Sequence, residues 1–148
     1  MISAGVKSIL DIGLTLEYLE TLGVPVLTFG QDTFPSFYSR ESAYPSPLRL
    51  DSATEIATML KTKWELGLHG SVLIANPIPK EKEVPYSRME KFIEEALAEA
   101  KKKNIVGKKV TPFLLSYIAN QTQGESLDAN IALVKNNAQL GAQIAMKM

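Results

Sequence analysis

Two short apolar runs limit the sheet that this chain can form. Residues 24–29 (VPVLTF) and 71–75 (SVLIA) are rich in β-branched and aliphatic side chains, which is typical of strands buried on both faces. Helical periodicity surrounds them and predicts about five helices. This alternation favours an α/β fold in a single domain over residues 1–148.

The helices are predicted from periodicity and capping patterns. Residues 5–22 form one helix, or two shorter helices with a bend at DIG. S-x-x-E patterns at Ser52 and Ser87 predict two further helix starts, and Thr111 is predicted to cap a fourth helix. A last helix is expected from about residue 127 to 146. The segment KKVTPF is an alternative third strand, and the proline-rich stretch 30–50 is expected to be a long loop, most simply one folded on the core.

Two or three strands are too few for five helices. A sheet this narrow cannot cover the apolar faces of helices on both of its sides. We therefore expect an incomplete half of a fold, whose remainder belongs either to a partner chain or to a segment preceding this one.

Charge and composition exclude several classes of protein. Sixteen basic residues balance sixteen acidic ones, so the basic excess of a nucleic-acid-binding protein is absent. The chain has no cysteine and one histidine, which excludes thiolate chemistry and histidine-rich metal sites. No apolar run approaches the roughly 20 residues of a membrane span. These features predict a cytoplasmic protein that binds neither nucleic acid nor membrane.

Lys7 is the first candidate for chemistry. It lies between small and apolar neighbours in SAGVKSIL. Desolvation of an amine lowers its pKa, and a neutral amine is the nucleophile that a Schiff-base enzyme needs. The alternative is a lysine whose stem packs while its ammonium group reaches water, and these residues alone favour it.

The second candidate is a group of asparagines in SLDANIALVKNNAQ. Asn130, Asn136 and Asn137 are poor helix formers inside a helical stretch. Asn130 and Asn137 are two turns apart, so both amides should project from one face and could orient a ligand. Equally, the amides could satisfy backbone groups of neighbouring loops.

Several long segments closely resemble the pseudouridine-5′-phosphate glycosidase family. They are SAGVKSILDIGLTLEYLETLGVPV, FPSFYSRES, LIANPIP and GKKVTPFLLSYIANQTQGESLDANIALVKNNAQLGAQIA. The resemblance covers almost the whole chain but only the C-terminal half of the family's usual length. It implies a three-layer α/β/α sandwich that assembles as a trimer.

The resemblance also implies an activity. The family reversibly cleaves the C–C glycosidic bond of pseudouridine 5′-phosphate, giving uracil and ribose 5-phosphate. It opens the ribose ring and forms a lysine adduct at the anomeric carbon, whose iminium acts as the electron sink that allows the base to depart. The motif A-G-x-K-x-I-L-D places this lysine at Lys7, and A-N-I-A-L-V-K-N-N places the substrate-binding asparagine at Asn130, with Asn136 and Asn137 in support.

Other family residues have no counterpart in this chain. The glutamate that donates a proton, the aspartate that binds Mn²⁺ and the residues that face phosphate and uracil all lie before the lysine motif. We therefore expect no metal ligand here, and little or no turnover by the chain alone. A non-catalytic scaffold or interaction protein derived from the same fold is the alternative.

Overall fold

A computed structural model describes residues 1–7 and 10–148 of the chain. Its elements alternate between strands and helices before ending in three helices. They are β1 (Ile2–Ser3), α1 (Ile12–Thr21), β2 (Val26–Phe29), β3 (Arg49–Leu50), α2 (Ala53–Glu65), β4 (Leu73–Ala75), α3 (Tyr86–Lys102), α4 (Val110–Gln121) and α5 (Glu125–Ala145).

The strands that the structure describes form one parallel sheet in the order β1-β4-β2-β3. Ile74 pairs with Ile2 on one side and with Leu27 on the other, so β4 and β2 are the central strands. Both correspond to the apolar runs predicted from the sequence. The outer strands contain only two residues each, which is too short to leave a periodic signal. The alternative prediction of a third strand at KKVTPF was wrong, because this segment lies in a short 3₁₀ turn, Gly107–Lys109, and in the start of α4.

Helices cover both faces of the sheet. Leu27 and Ile74 point toward α2 and α5, where they pack with Ile56, Leu60 and Leu140. The neighbouring strand positions point the other way, toward the inner side of α1. The fold is therefore a three-layer α/β/α arrangement, as the family resemblance implied.

A helical cluster extends beyond the carboxyl edge of the sheet. It joins α3, α4 and the first half of α5 through buried Met89, Leu114, Ile118 and Leu133. Buried Tyr38, from the loop after β2, packs into the same cluster, so this loop is folded on the core as expected. None of the helices in the described part of the chain is long and apolar enough to cross a bilayer.

Three helix starts differ from the prediction; in one of them Thr111, predicted as an N-cap, lies inside α4, which begins at Val110. The first helix begins at Ile12, because the Asp11 side chain accepts a hydrogen bond from the Leu14 amide at 2.8 Å. Residues 5–7 are therefore not helical, while Ser8 and Ile9, which the predicted helix included, lie outside the described residues. Similarly, α3 begins after Pro85, so Ser87 lies inside the helix and does not cap it.

Candidate active site

The candidate site lies at the carboxyl edge of the parallel sheet. In open α/β sheets, ligands bind in the crevice outside the carboxyl ends of the strands. β1 leads here to Lys7, β4 leads to Asn76, and β2 leads into the loop that carries Phe37. The fold thus brings three separate parts of the sequence to one edge.

The backbone between β1 and Lys7 is held by tight contacts. Ala4 is buried, and its carbonyl accepts a hydrogen bond from the Phe37 amide at 3.1 Å. Gly5 has a φ of +99° and pairs with Ser36 as an isolated antiparallel bridge. A Cβ atom on Gly5 would lie 2.1 Å from the Pro35 carbonyl oxygen, so the position requires glycine.

Lys7 and Asn130 line the same pocket, which has a volume of about 230 Å³. Its other lining residues are mostly apolar: Phe37, Thr111, Leu114, Leu115 and Ile118. Asn130 is half-buried on α5. Two residues that the sequence placed far apart are thus brought together beside an apolar wall.

Lys7 itself is exposed to solvent. The dry surroundings inferred from its sequence neighbours are therefore not provided by the described part of this chain. Local sequence could not show this, because the apolar neighbours of Lys7 pack elsewhere: Ala4 is buried in the helical cluster, and Val6 packs with α1. The alternative of a lysine whose ammonium group reaches water fits this exposure.

A second, more polar pocket of about 150 Å³ also contacts Lys7. Asp11, Ser36, Tyr44 and Tyr86 contribute its polar groups. Desolvation, and then the nearby Glu90 carboxylate, raises the pKa of the Tyr86 hydroxyl. A tyrosine hydroxyl is protonated at neutral pH even without such a shift, so it can donate a hydrogen bond here. Lys7 therefore lies between an apolar and a polar compartment.

Asn136 and Asn137 bind the loop after β4. The Asn136 amide donates to the Pro77 carbonyl at 3.0 Å, and the Asn76 amide donates to the Asn137 side-chain oxygen at 3.2 Å. They thereby attach α5, which carries Asn130, to the NPIP segment that ends β4. Of the two uses left open by the sequence, Asn136 shows the contact with a backbone group of a loop, whereas Asn137 accepts from a side chain of that loop.

Thr111 and Phe37 were not recognised as site residues from the sequence. Thr111 was interpreted only as a helix cap, but it lies within the first turn of α4 and lines the pocket beside Lys7. Phe37 has a φ of +54°, which is uncommon for a residue other than glycine. The FPSFY segment offered only its aromatic content as a signal.

The described residues contain no group of three or more His, Asp or Glu side chains arranged to hold a metal ion. The Mn²⁺ implied by the family resemblance therefore does not fit the residues present in this part of the chain.

Comparison with known proteins matches residues 1–147 to the family described as Indigoidine synthase A like protein. A curated relative from Geobacillus kaustophilus is 58% identical over 100% of this chain and 49% of its own length, and one from Nocardioides sp. is 58% identical over 98% and 47%. Both are named pseudouridine-5′-phosphate glycosidase, which confirms the resemblance seen in the sequence. The chain spans about half the length of the curated relatives it matches.

Two solved structures share the fold. An indigoidine synthase A-like protein from Thermotoga maritima has a TM-score of 0.87 and 38% identity, covering 99% of this chain and 48% of that one. The prealnumycin C-glycosynthase AlnA, solved in complex with ribulose 5-phosphate, has a TM-score of 0.82 and 34% identity, covering 99% and 50%.

Proposed function

The chain belongs to the indigoidine synthase A-like family, and on this premise we propose that it carries the nucleophilic part of a pseudouridine-5′-phosphate glycosidase site. The reaction is the reversible cleavage of pseudouridine 5′-phosphate to uracil and ribose 5-phosphate. The observation that carries the proposal is the shared pocket of Lys7 and Asn130 at the carboxyl edge of the sheet. The solved C-glycosynthase complex with ribulose 5-phosphate supports a C–C bond chemistry on a sugar phosphate in this family.

Lys7 is assigned the role of Schiff-base nucleophile. Its amine, in the deprotonated form, attacks the anomeric carbon, and the bond from that carbon to the ring oxygen breaks. The proton that the new secondary ammonium gives up is taken by the ring oxygen. The nitrogen lone pair then forms the iminium while the C–C bond breaks, its electron pair staying on the uracil carbon, which is protonated. The nitrogen is thus the electron source of this step, so the electron-sink role given above for the iminium was wrong. Water adds to the iminium, releasing ribose 5-phosphate and the free lysine.

Asn130 is assigned the orientation of the opened sugar. Its amide offers both donors and an acceptor to the hydroxyl groups of a pentose. The apolar wall of Leu114, Leu115 and Ile118 limits water on that side of the amine. No described residue is assigned as the proton donor to uracil.

Borohydride trapping with ribose 5-phosphate tests the nucleophile. Reduction of the iminium leaves a stable secondary amine, and peptide mass spectrometry should locate it at Lys7. Lys7→Ala should abolish this adduct, whereas Lys91→Ala, which removes an exposed lysine on α3, should leave it unchanged. Ribulose 5-phosphate in a parallel reaction shows whether a ketose phosphate also reacts. No adduct at Lys7 would favour the alternative of a non-catalytic scaffold.

Turnover by the chain alone is proposed to be low or absent, because the glutamate that donates a proton to uracil in the family has no counterpart in this chain. A continuous assay of uracil release from pseudouridine 5′-phosphate measures it, and robust release by the 148-residue chain would contradict this part of the proposal. We likewise propose the trimer implied by the family resemblance and the cytoplasmic location predicted from the composition. The Mn²⁺ requirement is also implied by the resemblance, but the described residues contain no group of side chains arranged to hold that metal. No step above involves the metal.

A further inference from the structure

The polar pocket beside Lys7 contains one group that can take up a proton. Among the described residues that line this pocket, Ser36, Tyr44 and Tyr86 contribute hydroxyl groups and Asp11 contributes a carboxylate. Serine and tyrosine hydroxyls keep their proton at neutral pH, so they do not serve as bases there. The carboxylate of Asp11 is therefore the candidate base of this compartment.

The start of helix α1 holds this carboxylate in place. Oδ1 of Asp11 accepts a hydrogen bond from the Leu14 amide at 2.8 Å, and none of the hydrogen bonds in the described part of the chain uses Oδ2. The Leu10 amide donates to the Lys7 carbonyl at 2.9 Å, and this turn brings the chain back so that Asp11 and Lys7 line the same pocket. One oxygen of a fixed carboxylate thus remains for a molecule in the pocket.

The size and the lining of this pocket suit water. A volume of about 150 Å³ has room for several water molecules, each of which occupies about 30 Å³ in the liquid. Ser36, which is only 8% exposed, offers its hydroxyl as a further hydrogen-bond partner for water. Lys7 also lines the larger apolar pocket of about 230 Å³ with Asn130. An adduct on Lys7 can therefore hold its sugar in the apolar pocket while water reaches it from the polar one.

We propose that Asp11 is the general base that activates water for hydrolysis of the Lys7 iminium. This role rests on the proposed function, because it requires that an iminium forms at Lys7. It concerns the last step of the reaction, which releases ribose 5-phosphate, and not the cleavage of the C–C bond. General bases placed in this way commonly accelerate a step by about 10²- to 10⁴-fold.

The hydrolysis returns the carboxylate to its starting state. The water oxygen bonds to the iminium carbon while Asp11 takes one proton of the water, and one electron pair of the C=N bond moves to nitrogen. Asp11 then passes this proton to the nitrogen, and the C–N bond breaks with its electrons staying on nitrogen. The new hydroxyl becomes the aldehyde of ribose 5-phosphate, and its proton reaches the Lys7 amine through Asp11. The sum is iminium plus water giving aldehyde plus ammonium.

An isotope chase measures this hydrolysis in the 148-residue chain. The chain is equilibrated with ¹³C-labelled ribose 5-phosphate and mixed with a large excess of unlabelled sugar, and borohydride is added at intervals. Peptide mass spectrometry then gives the labelled fraction of the adduct at Lys7, whose decay is the rate of hydrolysis. Asp11→Asn is the test variant, because asparagine removes the charge but caps a helix about as well as aspartate. Asp51→Asn is the matched control, since it removes an exposed carboxylate that precedes α2 and lines neither pocket.

Asp11→Asn should slow the decay at least tenfold, and Asp51→Asn should leave it unchanged. The amount of adduct at equilibrium should stay nearly the same, because a base accelerates formation and hydrolysis alike. An unchanged decay in Asp11→Asn would overturn the inference. A faster decay would also overturn it, because Asp11 would then act only as a counter-ion that stabilises the iminium. Absence of any adduct in the unchanged chain would instead refute the proposed function, on which the inference rests.

Chemical rescue provides a second measurement. Asp11→Ala removes the carboxylate and leaves space beside Lys7 for a small anion. Formate, which is itself a carboxylate, should accelerate the decay in Asp11→Ala, whereas chloride at the same concentration should not. Equal effects of formate and chloride would contradict the role of the carboxylate as a base.

Discussion

At position 5 the backbone has no room for a side chain. Gly5 combines a φ of +99° with a Pro35 carbonyl oxygen 2.1 Å from the place of a Cβ atom. Gly5→Ala must therefore move the Pro35 segment or the chain leading to Lys7. We expect a loss of about 3 kcal/mol in the free energy of unfolding, measured by urea denaturation, and a weaker borohydride adduct at Lys7.

Gly30→Ala is the matched control for this change. Gly30 also has a positive φ, +73°, but a Cβ atom there would meet nothing within 4 Å. Gly30→Ala should lower the free energy of unfolding by only about 1 kcal/mol, which is the cost of a positive φ for a residue with a Cβ atom. Equal losses for the two variants would show that the contact with Pro35 contributes nothing.

The asparagines of α5 should separate into two roles. Asn136→Ala removes the hydrogen bond to the Pro77 carbonyl and should lower the free energy of unfolding by about 1–2 kcal/mol. Asn130→Ala leaves that bond intact and should change stability by less than about 0.5 kcal/mol, while reducing the yield of trapped ribose 5-phosphate at least tenfold.

Denaturation and trapping of both variants check this separation. If Asn136→Ala unfolded as the unchanged protein does but lost the adduct, Asn136 would contact the ligand and would not serve to hold the loop. Since the two residues belong to one helix, the comparison keeps the helical context constant.

At the scale of elements, one capping box stabilises α2. The Ser52 hydroxyl accepts from the Glu55 amide at 3.2 Å, and the Glu55 carboxylate accepts from the Asp51 amide at 3.0 Å. Ser52→Ala should lower the free energy of unfolding by about 1 kcal/mol. The second S-x-x-E pattern offers the control: Ser87 is exposed inside α3, so Ser87→Ala should be neutral or slightly stabilising. Equal losses in thermal unfolding would refute this difference.

These two patterns also show how far local sequence predicts the elements. The central strands, the α/β alternation and most helices follow from periodicity, which depends on neighbouring residues alone. The start of α3 was misplaced because Pro85 can precede a first helical turn without a side-chain cap. The outer strands could not be predicted, since two residues become a strand only by pairing with a central one.

The sequence was enough to predict which residues belong to the site, but it could not predict what surrounds them. Lys7 and Asn130 were identified through motifs, and the structure places both on one pocket. The exposure of Lys7 depends on which other segments cover it, and this is a property of tertiary structure. For the same reason Thr111 carried no signal: only the packing of α4 against α3 and α5 brings it to the pocket that Lys7 lines.

For the whole molecule, α5 joins the sheet to the helical cluster. Its first half packs into that cluster through Ala129 and Leu133, and its second half packs on the sheet through Leu140 and Ile144. A 21-residue helix shared by two cores should make them unfold together. A perturbation in the helical cluster is therefore expected to appear in global stability.

A change of pH can perturb the helical cluster through Tyr38, whose hydroxyl loses its proton at alkaline pH. It is only 1% exposed in the helical cluster, and burial raises the pKa of its hydroxyl from 10 to about 12. Below pH 10 the phenol is protonated in both states and stability does not depend on it. Between pH 10 and 12 the unfolded chain loses this proton while the folded protein keeps it, so the free energy of unfolding falls as pH rises, by roughly 2–3 kcal/mol at most.

Tyr38→Phe should remove this alkaline loss, because phenylalanine has no proton to release. Denaturation of both proteins at pH 9 and pH 11.5 should therefore show a smaller drop in the variant. Tyr18→Phe is the control, since Tyr18 is an exposed tyrosine on α1, and it should leave the drop unchanged. A drop of the same size in Tyr38→Phe would mean that other groups cause the alkaline instability.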